Sequence, residues 1–160
     1  MANAVRGLSV EMGAGGVPVT LVPLEVTHRA LATDAVVARI ESLGTPIAGV
    51  AAALMRYFAD TYRRVFGFDA PAVHDPCAVA AVIDPSVVPT RRVNVEIDTS
   101  SGLSAGRTVC DMYGITGRTP NAEVGVDLDV ARFWELMIGA LARYGADGSK
   151  AVSVDHLHAR

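Results

Sequence analysis

VVPTRRVNVEIDTSSGLSAGRTVCDMY, residues 87–113, is the segment on which the fold class turns. Its opening, residues 87–98, alternates apolar and polar side chains, the pattern of a half-buried strand. SSGLSAG, which follows, is made of turn-forming residues, and RTVCDMY reads as the returning strand of a β-hairpin. Downstream, GITGRTPN reads as a loop and AEVGV as a further short strand. Upstream, His74-Asp75-Pro76 leads into a brief apolar run, CAVAAVI, which ends at Asp84-Pro85.

Farther out the pattern becomes helical. Residues 31–42 predict a helix, with Thr33 or Asp34 as N-cap and Gly44 past its end. A longer helix is predicted from Thr45, with Pro46 in its first turn, to Phe66, and Gly67 stops it. Val50, Leu54, Tyr57, Phe58 and Tyr62 lie near helical spacing along it. Residues 17–27, VPVTLVPLEVT, read as a buried strand with Pro23 at its end or at a bulge. Near the C-terminus, Asp127 is expected to cap a helix with Phe133, Leu136, Met137, Ala140 and Leu141 on one face and Gly145 at its end. The class is α/β or α+β, with few strands. An apolar opening strand of this kind wants neighbours that the chain supplies sparingly. With no repeat and no linker, residues 1–160 are expected to form a single domain, with 1–16 and 146–160 peripheral.

Composition narrows the function classes. The chain is 51% hydrophobic and 19% charged, which suits a globular protein, and its net charge of -3 argues against nucleic-acid binding. No stretch reaches the roughly 18 apolar residues of a membrane span. No basic segment followed by an apolar run marks a signal peptide. Cys77 and Cys110 are isolated from each other and from any His/Cys cluster, so they read as buried small hydrophobes in a reducing cytoplasm. Gly13, Gly15 and Gly16 lack the strand-before, helix-after context of a phosphate loop.

His74-Asp75-Pro76 has two readings. Asp75 as an N-cap with Pro76 behind it makes an ordinary helix start. Alternatively, Asp75 offers its carboxylate to a metal while His74 stands where it can protonate a leaving group. His28, at a strand end, reads as structural, and His156 and His158 lie in a polar tail.

Taken in order, PLEVTH (23–28), HDPCAVAAVIDP (74–85), TRRVNVEIDTSSGLSAGRTVCD (90–111) and VDLDVARFWELMIGAL (126–141) resemble the C-terminal part of the inosine/uridine-preferring nucleoside hydrolases, over about residues 17–144. The resemblance implies an open hydrolase-like sheet with flanking helices and a β-hairpin, its N-terminal strands missing from this chain. It implies calcium-dependent hydrolysis of the N-glycosidic bond of ribonucleosides to ribose and free base. It assigns His74 the role of acid toward the departing base and Asp75 that of a Ca2+ ligand. Tyr57, Phe58 and Tyr62 fall in the region whose aromatic residues close over the base, with ordinary core packing as the alternative.

The family's aspartate cluster, of the form D-x-D-x-G-x-D-D, is absent. Before Asp34 the only acidic residues are Glu11 and Glu25, and Asp127-Leu128-Asp129 is explained by helix capping. Calcium takes about six to eight oxygens, and Asp75 offers two at most. The general base and most calcium ligands are therefore expected from elsewhere, and the chain reads as roughly the C-terminal half of an enzyme. It is expected either to act with a complementing N-terminal half or to be a non-catalytic fragment that oligomerises through an exposed sheet edge.

Overall fold

The computed structural model describes residues 17–146. Gly13, Gly15 and Gly16, and the histidines at 156 and 158, lie outside the described residues. The described chain divides into two compact units, one built from residues 17–30 and 74–130, the other from 31–73 and 131–146.

The first unit carries the strands. β1 (Thr20–Leu21) is followed by the one-turn helix α1 (Leu24–Thr27). Then come α4 (Asp75–Ile83), a 3-10 turn (Pro85–Val87), β2 (Thr90–Val93), β3 (Val95–Ile97), β4 (Thr108–Cys110) and β5 (Ala122–Gly125). β5 is the centre of a three-stranded mixed sheet in the order β1-β5-β2, parallel to β1 and antiparallel to β2. Val93, Val95, Ala122 and Val124 form its buried core, with Val19, Leu21, Cys110 and Met112 against them. The polar alternates face outward, where Glu123 accepts a hydrogen bond from Thr90 at 3.0 Å and faces Arg92 across the ladder.

Two expectations change here. The strand read over 17–27 shrinks to Thr20–Leu21, because Pro23 has no N–H to continue a ladder and its carbonyl instead accepts from the Val26 and Thr27 amides. PLEVTH is thus a helical turn. The strand read over 87–98 is two strands. Val93 and Val95 are both buried, so the alternation runs through unbroken, but the partner changes at Asn94: β2 pairs with β5 and β3 pairs with β4. The Asn121 side chain makes the change possible. Its Oδ1 accepts from the Val95 amide at 2.8 Å and its Nδ2 donates to the Val95 carbonyl at 2.9 Å, as a neighbouring strand would. The hairpin itself is as expected, with Val95 opposite Cys110 and Ile97 opposite Thr108.

The second unit is helical. α2 (Asp34–Glu41) is capped by Thr33, whose side chain accepts from the Val36 amide. α3 (Pro46–Phe66) is capped by Thr45 with Pro46 in the first turn, and ends at Gly67 in the left-handed conformation, φ +69°. α3 keeps the expected limits, whereas α2 starts at Asp34 rather than at Leu31, which bridges to Ala72, and Gly44 follows α2 at φ +66°. Val36, Val37 and Ile40 of α2 and Ala48 and Ala52 of α3 are buried, and Arg56 reaches Glu41 at 2.5 Å. α5 spans Val130–Ala146 and buries Phe133 and Trp134, whereas Ala140, read as part of its inner face, is exposed. Asp127 lies outside that helix. Its carboxylate accepts from the adjoining Leu128 amide and pairs with Arg29 instead of capping.

Candidate active site

α4 begins with Asp75, so the cap position falls on His74 rather than on Asp75. His74 is itself in right-handed helical conformation, with φ -81° and ψ -66°, and its side chain makes no cap hydrogen bond. At the helix start the His74 carbonyl accepts from the Cys77 amide at 3.0 Å. Asp75 is exposed in the first turn, and among the described residues no side chain pairs with its carboxylate. An acidic group there is favoured by the helix dipole, but its expected capping role is overturned. Cys77 is fully buried beneath it, and burial pushes its thiol up to about 11.

α1 supplies the neighbours of His74. The turn that starts at Pro23 places Thr27 and His28 consecutively against the imidazole. Thr27 is only 4% exposed, and its Oγ1 lies 2.8 Å from His74 Nδ1. The same oxygen is 3.4 Å from the Leu24 carbonyl. The His28 ring stands edge-on to that of His74, with centroids 5.3 Å apart and planes at 68°. A half-buried imidazole is thus held by a buried hydroxyl on one nitrogen, beside an exposed carboxylate. Such a group can pass a proton to a leaving atom.

His74, Asp75 and His28 therefore meet in one unit. Tyr57, Phe58 and Tyr62 belong to the other, on α3. Tyr57 and Phe58 are 68% and 53% exposed, so ordinary core packing does not account for them. Tyr62 is half-buried and touches the rings of Phe58, Phe66 and Phe68 at centroid distances of 6.0, 5.3 and 6.3 Å. Among the described residues, no three His, Cys, Asp or Glu side chains come close enough to hold a metal ion. Thr27 is the site residue that sequence reasoning missed. A lone threonine carries no chemical signal, and only its place in PLEVTH, beside His28, could have raised it.

The model of the inosine-uridine preferring nucleoside hydrolase family matches residues 9–135. A probable ribonucleoside hydrolase of Dictyostelium discoideum is 39% identical over 132 residues, covering 79% of this chain and 39% of that protein. The inosine-uridine preferring nucleoside hydrolase of Crithidia fasciculata is 42% identical over 127 residues, covering 79% and 40%. The solved purine-preferring ribonucleoside hydrolase from Gardnerella vaginalis superposes with a TM-score of 0.70 at 28% identity, over 85% of this chain and 44% of that one. The chain spans about two fifths of the length of the curated relatives it matches. With the family model covering most of its residues, the chain belongs to the inosine-uridine preferring nucleoside hydrolase family.

Proposed function

We propose that this chain contributes the leaving-group side of a ribonucleoside hydrolase site, one that cleaves the N-glycosidic bond with water to give ribose and free base. The observation that carries the reading is the His74 imidazole, held at 2.8 Å by a buried threonine at the opening of α4 and followed directly by an exposed carboxylate. As the glycosidic bond breaks, positive charge develops on the ribose and negative charge on the departing base. His74 protonates that base, and water completes the ribose. The exposed Tyr57 and Phe58, with Tyr62, supply aromatic surface for the base.

Asp75 is one ligand of a calcium ion. The described residues do not make that site alone, since calcium takes about six to eight oxygens. The remaining ligands and the general base come from polypeptide other than these 160 residues, in keeping with the absent aspartate cluster. Residues 1–160 are read as one partial domain of that assembly. Two free thiols suit a reducing cytoplasm, and among the described residues no helix is long and apolar enough to cross a membrane.

The test is co-expression with a polypeptide bearing the family's aspartate cluster, followed by assay of base release from inosine and uridine. The expected result is release by the pair and none by the chain alone. His74→Ala should lower kcat by about 10²–10⁴-fold, and Asp75→Asn should weaken the dependence on calcium. Release that His74→Ala leaves unchanged would overturn the assignment. A second reading, a non-catalytic chain that acts by association, is favoured by the unpaired outer edge of β1 among the described strands and by the exposed Val79, Val82 and Ile83 of α4. Stable association without any release of base would select it.

A further inference from the structure

We propose that Thr27 is a positioning residue for His74: its hydroxyl accepts the Nδ1–H of the imidazole, fixes the plane of the ring and leaves Nε2 as the nitrogen that hands over the proton. This rests on the reading of His74 as the acid toward the leaving base.

The argument starts from burial. Thr27 is 4% exposed, so its hydroxyl has left bulk water and must find its partners within the protein. Among the described residues, two groups are in reach. The Leu24 carbonyl, 3.4 Å away in the preceding turn, can only accept, so it offers a place for the hydroxyl hydrogen. With the hydrogen placed there, the remaining lone pair faces His74 Nδ1 at 2.8 Å, and the proposal makes Nδ1 the donor. A charged imidazole carries a proton on both nitrogens, so an acid in its working state needs an acceptor at Nδ1. A neutral hydroxyl meets that need without an added charge.

The elements support the same geometry. Pro23 opens α1, and the single turn it starts sets Thr27 and His28 side by side. Thr27 grips the Nδ1 corner of the His74 ring, while the His28 ring stands edge-on at 5.3 Å. The hydrogen bond fixes the tautomer and the ring contact restricts rotation about the side chain. The His74 side chain makes no cap hydrogen bond to α4.

The experiment is ¹⁵N NMR of the histidine side chains in the 160-residue chain, at a pH where the rings are neutral, reading the tautomer of His74 from its two-bond couplings. His74→Gln identifies the signal. The expected result is a predominant Nδ1–H form in the unmodified chain. Thr27→Val, which keeps the shape and removes the hydroxyl, should move His74 to the Nε2–H form, and Thr27→Ser should restore the Nδ1–H form. A predominant Nε2–H form in the unmodified chain overturns the proposal even if Thr27→Val does not fold. So does an unchanged tautomer in a folded Thr27→Val chain. The readout requires no turnover, so it stands or falls separately from the hydrolase assignment.

Discussion

Asp111 shows how a motif residue can be legible in the sequence while its work is not. It closes the GRTV-x-D pattern of the hairpin, and the structure uses its carboxylate to organise the following turn. The Thr116 hydroxyl donates to it at 2.6 Å, the Thr116 amide at 2.8 Å and the Ile115 amide at 2.9 Å. These donors, the Thr116 hydroxyl foremost, hold the carboxyl below the usual carboxylate range. A carboxyl depressed in the folded state adds stability above its unfolded value of about 4, and that stability is lost as pH falls through the folded value. Asp111→Asn is therefore expected to lower the melting temperature at pH 7 and to flatten its decline in acid, as thermal melts from pH 7 to pH 3 would register. Equal slopes in acid for the two chains would refute this. Cys77 is a simpler case. Fully buried, with its thiol pushed up to about 11, it should resist thiol reagents at pH 8 until the chain unfolds, whereas the half-buried Cys110 should react sooner. Reading the two cysteines as apolar fillers was possible because burial follows composition; ranking their reactivity required the fold.

Elements were legible where their ends carry chemistry. Thr45-Pro46 announces the start of α3, and Thr45 accepts from the Ala48 amide at 3.3 Å. Thr45→Ala should cost about 1 kcal/mol, measured as a shift of the urea midpoint with unchanged slope. Helices rely on such local bonds, so their limits are written in neighbouring residues. Strands depend on partners far along the chain. This is why the alternation over 87–98 concealed the exchange of sheets at Asn94, and why the apolar run over 17–27 concealed a helical turn. Gly125 marks a similar blind spot. A Cβ there would lie 2.8 Å from Val88 Cγ1, on a buried β-branched side chain with little freedom to move. Gly125→Ala should destabilise the β1-β5-β2 sheet by about 1–3 kcal/mol, with loss of hydrogen-exchange protection at β5 preceding that in α3. Protection that stays intact would show that the sheet can absorb the methyl group.

At the scale of the whole molecule, each unit leaves apolar side chains open to solvent. Leu54, Tyr57 and Phe58 of α3 and Val82 and Ile83 of α4 are all more than half exposed. Such residues favour association. Light scattering of the chain alone should give a mass that rises with concentration, and Val82→Arg, at a position 83% exposed, should reduce the rise without lowering the melting temperature. A concentration-independent monomer mass would remove the basis for association through these side chains. The family, the hairpin, the long helices and the pairing of His74 with Asp75 were all determined by sequence, because motif order, helix caps and turn residues are local and survive without a partner. Tertiary structure alone decided that His74 rather than Asp75 occupies the cap position, that Thr27 holds the imidazole, and that β2 and β3 pair in different sheets. Each of these joins residues far apart in the chain or depends on a backbone conformation set by its surroundings. In the opening hairpin, alternation specified which residues are buried, and the fold specified what they are buried against.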